Sequence, residues 1–244
     1  KNVLKDLIKT EKLAGRGYAI AHVESPDLRG VDVGLLYKSR YFTPIKTSGI
    51  EVNDTLEPDF KTRNILLVTG VLSNDTITFI VNHWPSRRGS GKDEKRIIAA
   101  KTARKGVDSL LLKNKNAKII LMGDFNDNPS DLSISKHLNA QPEKKQTDET
   151  LFNAMHSIHK KGYGTLSYQG IWNLFDQMIM SDAVVKNKNG KYGYLKESVS
   201  IFYHKWLINQ DGQYAGAPFR AFSGTNYIGG YSDHLPVYIY LIQE

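Results

Sequence analysis

The chain has no cysteine among its 244 residues, which excludes disulfide scaffolds, thiolate metal sites and cysteine nucleophiles. A cysteine-free protein suits both the cytosol and an exported role, so the compartment stays open. No apolar run approaches the roughly 18–20 residues that a bilayer-crossing helix needs, and the sequence reads as a soluble body. The opening KNVLKDLIKTEKL lacks the apolar core and small-residue cleavage site of a signal peptide. It also lacks an initiator Met, which leads us to expect residues upstream of Lys1. GxGxxG, HExxH and GxSxG are absent. Gly89-Ser90-Gly91-Lys92 resembles the tail of a phosphate-binding loop. However, Ser86 stands where its first Gly belongs, and Asp93 where Ser or Thr is required.

What is present is ordinary globular material, 40% hydrophobic and 24% charged, long enough to bury a substantial core. The length fits one domain over residues 1–244. Lys and Arg outnumber Asp and Glu 33 to 25, and the net charge of +8 favours encounter with polyanions such as nucleic acid or anionic headgroups. Val3, Leu4, Leu7 and Ile8 share one stripe of a helix expected over residues 2–13. Strands are expected at 18–23, 31–37, 64–72, 77–82, 117–122, 174–180 and 237–242, with a hairpin turn at Ser73-Asn74-Asp75. Ile97, Ala100, Ala103, Val107, Leu110 and Leu111 recur at helical spacing between Asp93 and Leu112. Pro129 and Ser130 are placed to open another helix. Helices interrupt strands irregularly, which indicates a layered α/β body with mixed sheets.

Three stretches carry chemistry. In Leu121-Met122-Gly123-Asp124-Phe125-Asn126-Asp127-Asn128-Pro129 an apolar strand ends, a Gly permits a sharp turn, and a carboxylate and a carboxamide follow. Asp124 offers a hard anionic oxygen to Mg²⁺, and Asn126 an amide that orients phosphate or water without adding charge. In Asn82-His83-Trp84-Pro85-Ser86-Arg87-Arg88 a β-branched run ends in a proton-exchanging His and two Arg suited to phosphate oxygens. In Tyr231-Ser232-Asp233-His234-Leu235-Pro236, adjacent Asp and His precede the final strand, one suited to a metal and the other to a proton. Each has a plainer explanation when taken alone. Gly, Asp, Asn and Pro are common turn formers, most histidines are not catalytic, and Ser-Asp often precedes an edge strand.

Together and in this order, the three stretches resemble the endonuclease/exonuclease/phosphatase superfamily. That superfamily includes pancreatic-type deoxyribonucleases, abasic-site endonucleases, inositol polyphosphate 5-phosphatases and neutral sphingomyelinases. The wording of Asp27–Tyr37 and His83–Arg88 is most similar to a bacterial subgroup of hydrolases. The resemblance implies a four-layer α/β sandwich, two packed mixed sheets flanked by helices. It implies that His83 contacts the scissile phosphate and protonates the leaving group, and that Asp124 and Asn126 position water and phosphate. Asp233 is implied as a metal ligand and His234 as general base or transition-state stabiliser. Asp176, in Trp172-Asn173-Leu174-Phe175-Asp176, would orient His234 and fix its tautomer. Asp32 is the loosely aligned candidate to orient His83. Arg29, Arg87, Arg88 and Trp172 are candidates for phosphate or substrate contact. The family pattern also places an Asn-terminated strand and a Glu-terminated strand before a helix like Asn2–Leu13. That metal-binding Glu is therefore expected upstream of Lys1, and the N-terminal strands are expected to be absent here.

The expected activity is hydrolysis of phosphate esters with Mg²⁺, or Mn²⁺ or Ca²⁺, by in-line attack of activated water. A phosphodiesterase or nuclease is favoured by the charge and by Trp84 and Trp172, which are suited either to stacking on bases or to core packing. The alternatives are a lipid-headgroup or sugar-phosphate phosphoesterase, for which Tyr203–Phe222 offers aromatic residues, and a non-catalytic binding module that kept the fold. No stable protein partner is implied.

Overall fold

Runs such as Ile65-Leu66-Leu67-Val68 and Ile119-Ile120-Leu121 are apolar on consecutive residues, the pattern of strands buried on both faces. The computed structural model describes residues 1–87, 92–143, 147, 149–186 and 191–243. Its early strands are β1 (Tyr18–His22), β2 (Gly34–Lys38), β3 (Phe42–Ile50), β4 (Ile65–Leu72), β5 (Asp75–His83) and β6 (Lys118–Asp124). Then come β7 (Ala140–Gln141), β8 (Leu151–Asn153), β9 (Leu166–Tyr168), β10 (Ile171–Asn173), β11 (Asp176–Met180) and β12 (Tyr192–Tyr194). The last are β13 (Ser200–Ile201), β14 (Phe222–Ser223), β15 (Asn226–Tyr227), β16 (Val237–Tyr238) and β17 (Leu241–Gln243). The α-helices are α1 (Asn2–Lys9), α2 (Lys92–Lys113), α3 (His156–Lys160) and α4 (Asp182–Val185).

Seven strands form one mixed sheet in the order β3-β4-β5-β6-β11-β8-β7. The 22-residue α2 carries the chain back so that β6 lies parallel to β5, whereas β11 returns antiparallel to β6. One face of the sheet buries Ile65, Ile80, Ile119 and Leu121 against α2, whose Ala99, Ala100 and Ala103 permit close approach. The other face buries Leu66, Val68, Ile77 and Ile120 against Ala21, Val33 and Leu35 around β1–β2, and against half-buried Tyr194 and Leu241 of β12–β17. Beyond β1–β2 lies α1, with Leu4 against Gly34. Helix, sheet, strand pairs and helix make the four-layer α/β sandwich that the resemblance implied. Where the resemblance implied a second mixed sheet, the described residues form three separate antiparallel pairs, β1–β2, β12–β17 and β13–β16. Among the described residues, no helix is long and apolar enough to cross a membrane.

Several boundaries differ from expectation, each for a local reason. The first helix stops at Lys9 because Thr10 turns extended and bonds the Leu7 carbonyl through its hydroxyl. The edge strand β3 gives no apolar signal, since much of it faces solvent and Pro44 sits at a register shift. The stretch expected as a final strand divides into β16 and β17. After Pro129 the chain forms a π-helical turn, Ser133–His137.

Candidate active site

The carboxyl ends of β5 and β6 and the first residue of β11 lie side by side. Residue His83 is opposite Asp124 on one flank, and Asp176 is opposite Asp124 on the other. The turn after β6 depends on Gly123, at φ +123°, where a Cβ would run into the Asn82 carbonyl. Asn126 follows in the left-handed region, φ +52°. Its N–H reaches Asp124 Oδ1 at 2.8 Å, and its Nδ2 reaches Asp124 Oδ2 at 3.2 Å and the Trp84 carbonyl at 2.9 Å. Asn126 therefore holds the Asp124 carboxylate, and His83 Nε2 lies 3.5 Å from Asp124 Oδ2. Trp84 is a core residue, edge-on to Phe125 at 4.9 Å with its indole N–H on Asn82, so the stacking considered for it does not hold.

On the other side, His234 Nδ1 pairs with Asp176 Oδ2 at 2.6 Å, the contact expected for an orienting carboxylate. Buried Thr165 braces both partners, because its carbonyl accepts from Leu235 N–H at 2.8 Å and its hydroxyl from Asp176 N–H at 3.4 Å. Burial opposes a charge on His234, but the hydrogen bond to Asp176 and the nearby carboxylates overcome it and raise its pKa to about 9. Burial and the neighbouring Asp176 raise Asp124 to about 6. For His83, burial and the cations Arg63, His234 and Arg29 lower the pKa to about 4. In the metal-free protein the neighbouring imidazoles thus carry opposite protonation at neutral pH.

Other expected residues fall elsewhere. Asp32 does not orient His83, because its carboxylate pairs with His22 Nε2 at 3.0 Å and accepts from Ser25 N–H at 2.8 Å. Asp233 is exposed and faces Arg220 at 3.7 Å, outside the Asp124–Asp176–His234 group. Arg87 is held by Asp127, Asp131 and the Asn126 carbonyl and covers the Phe175 ring, so two carboxylates already occupy the guanidinium proposed for phosphate. Arg88 lies outside the described residues. Arg29 is bound at both Nε and Nη2 by Asp27, yet its side chain is 65% exposed and keeps donors free to face a ligand. Trp172 is half-buried on β10 beside Leu235.

Sequence reasoning missed Arg63. It is buried, and it bonds the His83 carbonyl at 3.1 Å, the Trp84 carbonyl at 2.6 Å and Asp27 at 3.4 Å. Nothing about an Arg just before an apolar run announces this role.

Asp124, Asp176 and His234 offer donor atoms within 4.8 Å of one another. Two hard carboxylates with one imidazole fit a divalent cation, the carboxylates favouring Mg²⁺, Ca²⁺ or Mn²⁺. His22, Glu24 and Asp32 also cluster, but the carboxylates there address different nitrogens of the ring, as an ion-pair set does.

The profile of the Endonuclease/Exonuclease/phosphatase family matches residues 1–243. Among solved structures, TDP2 of D. rerio complexed with single-strand DNA product is similar, at TM-score 0.59 and 12% identity over 99% of this chain and 82% of that one. A mannosyl-6-phosphatase of Bacteroides thetaiotaomicron matches at TM-score 0.57 and 18% identity, over 99% and 81%. The human Nocturnin catalytic domain with bound sulfate matches at TM-score 0.55 and 16% identity, over 100% and 76%. No curated protein matches the chain.

Proposed function

Because the chain belongs to the endonuclease/exonuclease/phosphatase family, we propose that it hydrolyses phosphate esters by attack of water on phosphorus at the Asp124–His234 centre. The observation that carries this reading is the meeting of Asp124, Asp176 and His234, with His83 beside them, from four separate parts of the chain. The Asp124 carboxylate, ionised above about pH 6, takes a proton from the attacking water. As the new P–O bond forms and the ester P–O bond breaks, His234 imidazolium stabilises the charge and gives its proton to the departing oxygen. Asp176 holds the His234 ring in place. Neutral His83 donates an N–H to a non-bridging oxygen. This assignment moves leaving-group protonation from His83, where the resemblance implied it, to His234, and its support is the opposite charge of the two rings. A divalent cation would be held by the Asp124 and Asp176 carboxylates, since the protonated His234 ring has no lone pair to ligate it, and would supply further positive charge to the phosphoryl oxygens. Exposed Arg29 is placed to add its own.

A phosphodiester, nucleic acid among them, is the favoured substrate. The net charge of +8 suits a polyanion, and a similar fold holds single-strand DNA product in TDP2. Hydrolysis of bis-p-nitrophenyl phosphate and p-nitrophenyl phosphate, with Mg²⁺, Mn²⁺ or chelator, tests the reading. We expect diester turnover that chelation abolishes and metal restores. If folded protein hydrolyses neither ester with any divalent cation, it is a binding module that kept the fold.

A further inference from the structure

An open groove of about 720 Å³ begins beside the catalytic centre, with Leu235, the residue after His234, in its wall. Ile158, Ile201 and Leu235 form apolar lining, and Trp172, Tyr163 and Tyr203 bring aromatic rings. Among the described residues, these three rings make no ring–ring contact, unlike Trp206, Phe219 and Tyr231 nearby. Tyr163 and Tyr203 are 63% and 61% exposed, so core packing does not account for them.

The wall is fixed to the catalytic residues. Gly164 lines the groove, and a Cβ there would meet the Asn173 backbone at 2.5 Å, so β9 and β10 are closely joined at this point. Next to Gly164, Thr165 binds the backbone of both Asp176 and Leu235. Next to Trp172, the Asn173 amide oxygen accepts from Asn128 at 3.1 Å, which ties the groove to the Asp124 turn.

We propose that this groove seats the nucleobase of a nucleotide whose phosphate lies at His234, an inference that rests on the phosphate-ester reading above. Flat aromatic faces stack on a base whatever its identity. The volume falls within the range of small-molecule pockets and has room for a nucleotide. A hexose would present hydroxyls to a lining that has no carboxylate or carboxamide among the described residues. Lys161, also in the lining, offers a donor to ring carbonyls or to a neighbouring phosphate.

The test measures binding to the folded protein without turnover, by calorimetry with chelator present. The Trp172 indole resonance serves as the local reporter. The ligands are adenosine 5′-monophosphate, adenosine, ribose 5-phosphate and mannose 6-phosphate. The expected result is adenosine 5′-monophosphate bound about tenfold or more tighter than either sugar phosphate, with the Trp172 signal shifted. That preference should collapse toward unity in the Tyr163→Ala/Tyr203→Ala double variant, whose exposed positions spare the core. Equal affinity for adenosine 5′-monophosphate and ribose 5-phosphate, or a preference that survives the double variant, overturns the proposal. Adenosine bound as tightly as its monophosphate supports the ring seat and overturns the phosphate reading instead.

Discussion

Arg63 donates from Nε to the backbone carbonyl of His83 across 3.1 Å. A buried cation therefore fixes the last residue of β5 through its main chain, and Asp27 holds that cation in turn. The same positive charge helps keep His83 neutral, after burial itself.

Arg63→Met should accordingly be costly. It removes the Arg63 donor from the His83 and Trp84 carbonyls, leaving the latter to Asn126, and leaves the buried Asp27 carboxylate to Arg29 alone. Breaking a buried ion pair costs about 3–5 kcal/mol, which denaturant unfolding would report. NMR titration should also show the His83 pKa rising from about 4. An unchanged unfolding midpoint and an unchanged His83 titration would contradict the role.

Asp176→Asn keeps the shape of the partner of His234 but removes its charge. Turnover should fall by roughly three to four orders of magnitude, as for other tautomer-fixing partners, while melting remains cooperative. A well-folded Asp176→Asn protein with wild-type turnover would remove His234 from the proposed role.

The pH dependence follows from the same pair. Metal-free His234 titrates at about 9 when folded, against an ordinary 6.5. Its stabilising contribution is complete below pH 6.5 and is lost as pH rises through about 9. Melting temperatures of wild type and His234→Gln should therefore differ most below pH 6.5 and converge toward pH 10. A difference that grows with pH would contradict the raised value.

The sequence made the centre legible because its residues sit at strand ends, where apolar runs stop at His83 and Asp124. The Asp176–His234 contact was legible only through resemblance, since 58 residues separate the two. Asp32 misled because sequence places a carboxylate near a site, but its partner is chosen by its neighbours in space, here His22. Arg63 was hidden because its function is to bind main-chain oxygens, which leave no trace in residue type. The edge strand β3 was hidden because it has no second buried face.

Gly123→Ala tests how the Asp124 turn is built. A side chain at φ +123° is strained, and its Cβ would collide with the Asn82 carbonyl of the adjacent strand. We expect a loss well above 1 kcal/mol, together with a displaced Asp124 and reduced turnover. A variant as stable and active as wild type would show that this approach is not tight.

Asp124 is the group proposed to take the proton from the attacking water. The most direct measurement compares kcat/KM of wild type and Asp124→Asn on bis-p-nitrophenyl phosphate at saturating Mg²⁺, with melting curves to verify folding. A fall of about 10²–10⁴ or more is expected in the variant. A folded Asp124→Asn protein within about twofold of wild type would contradict that role.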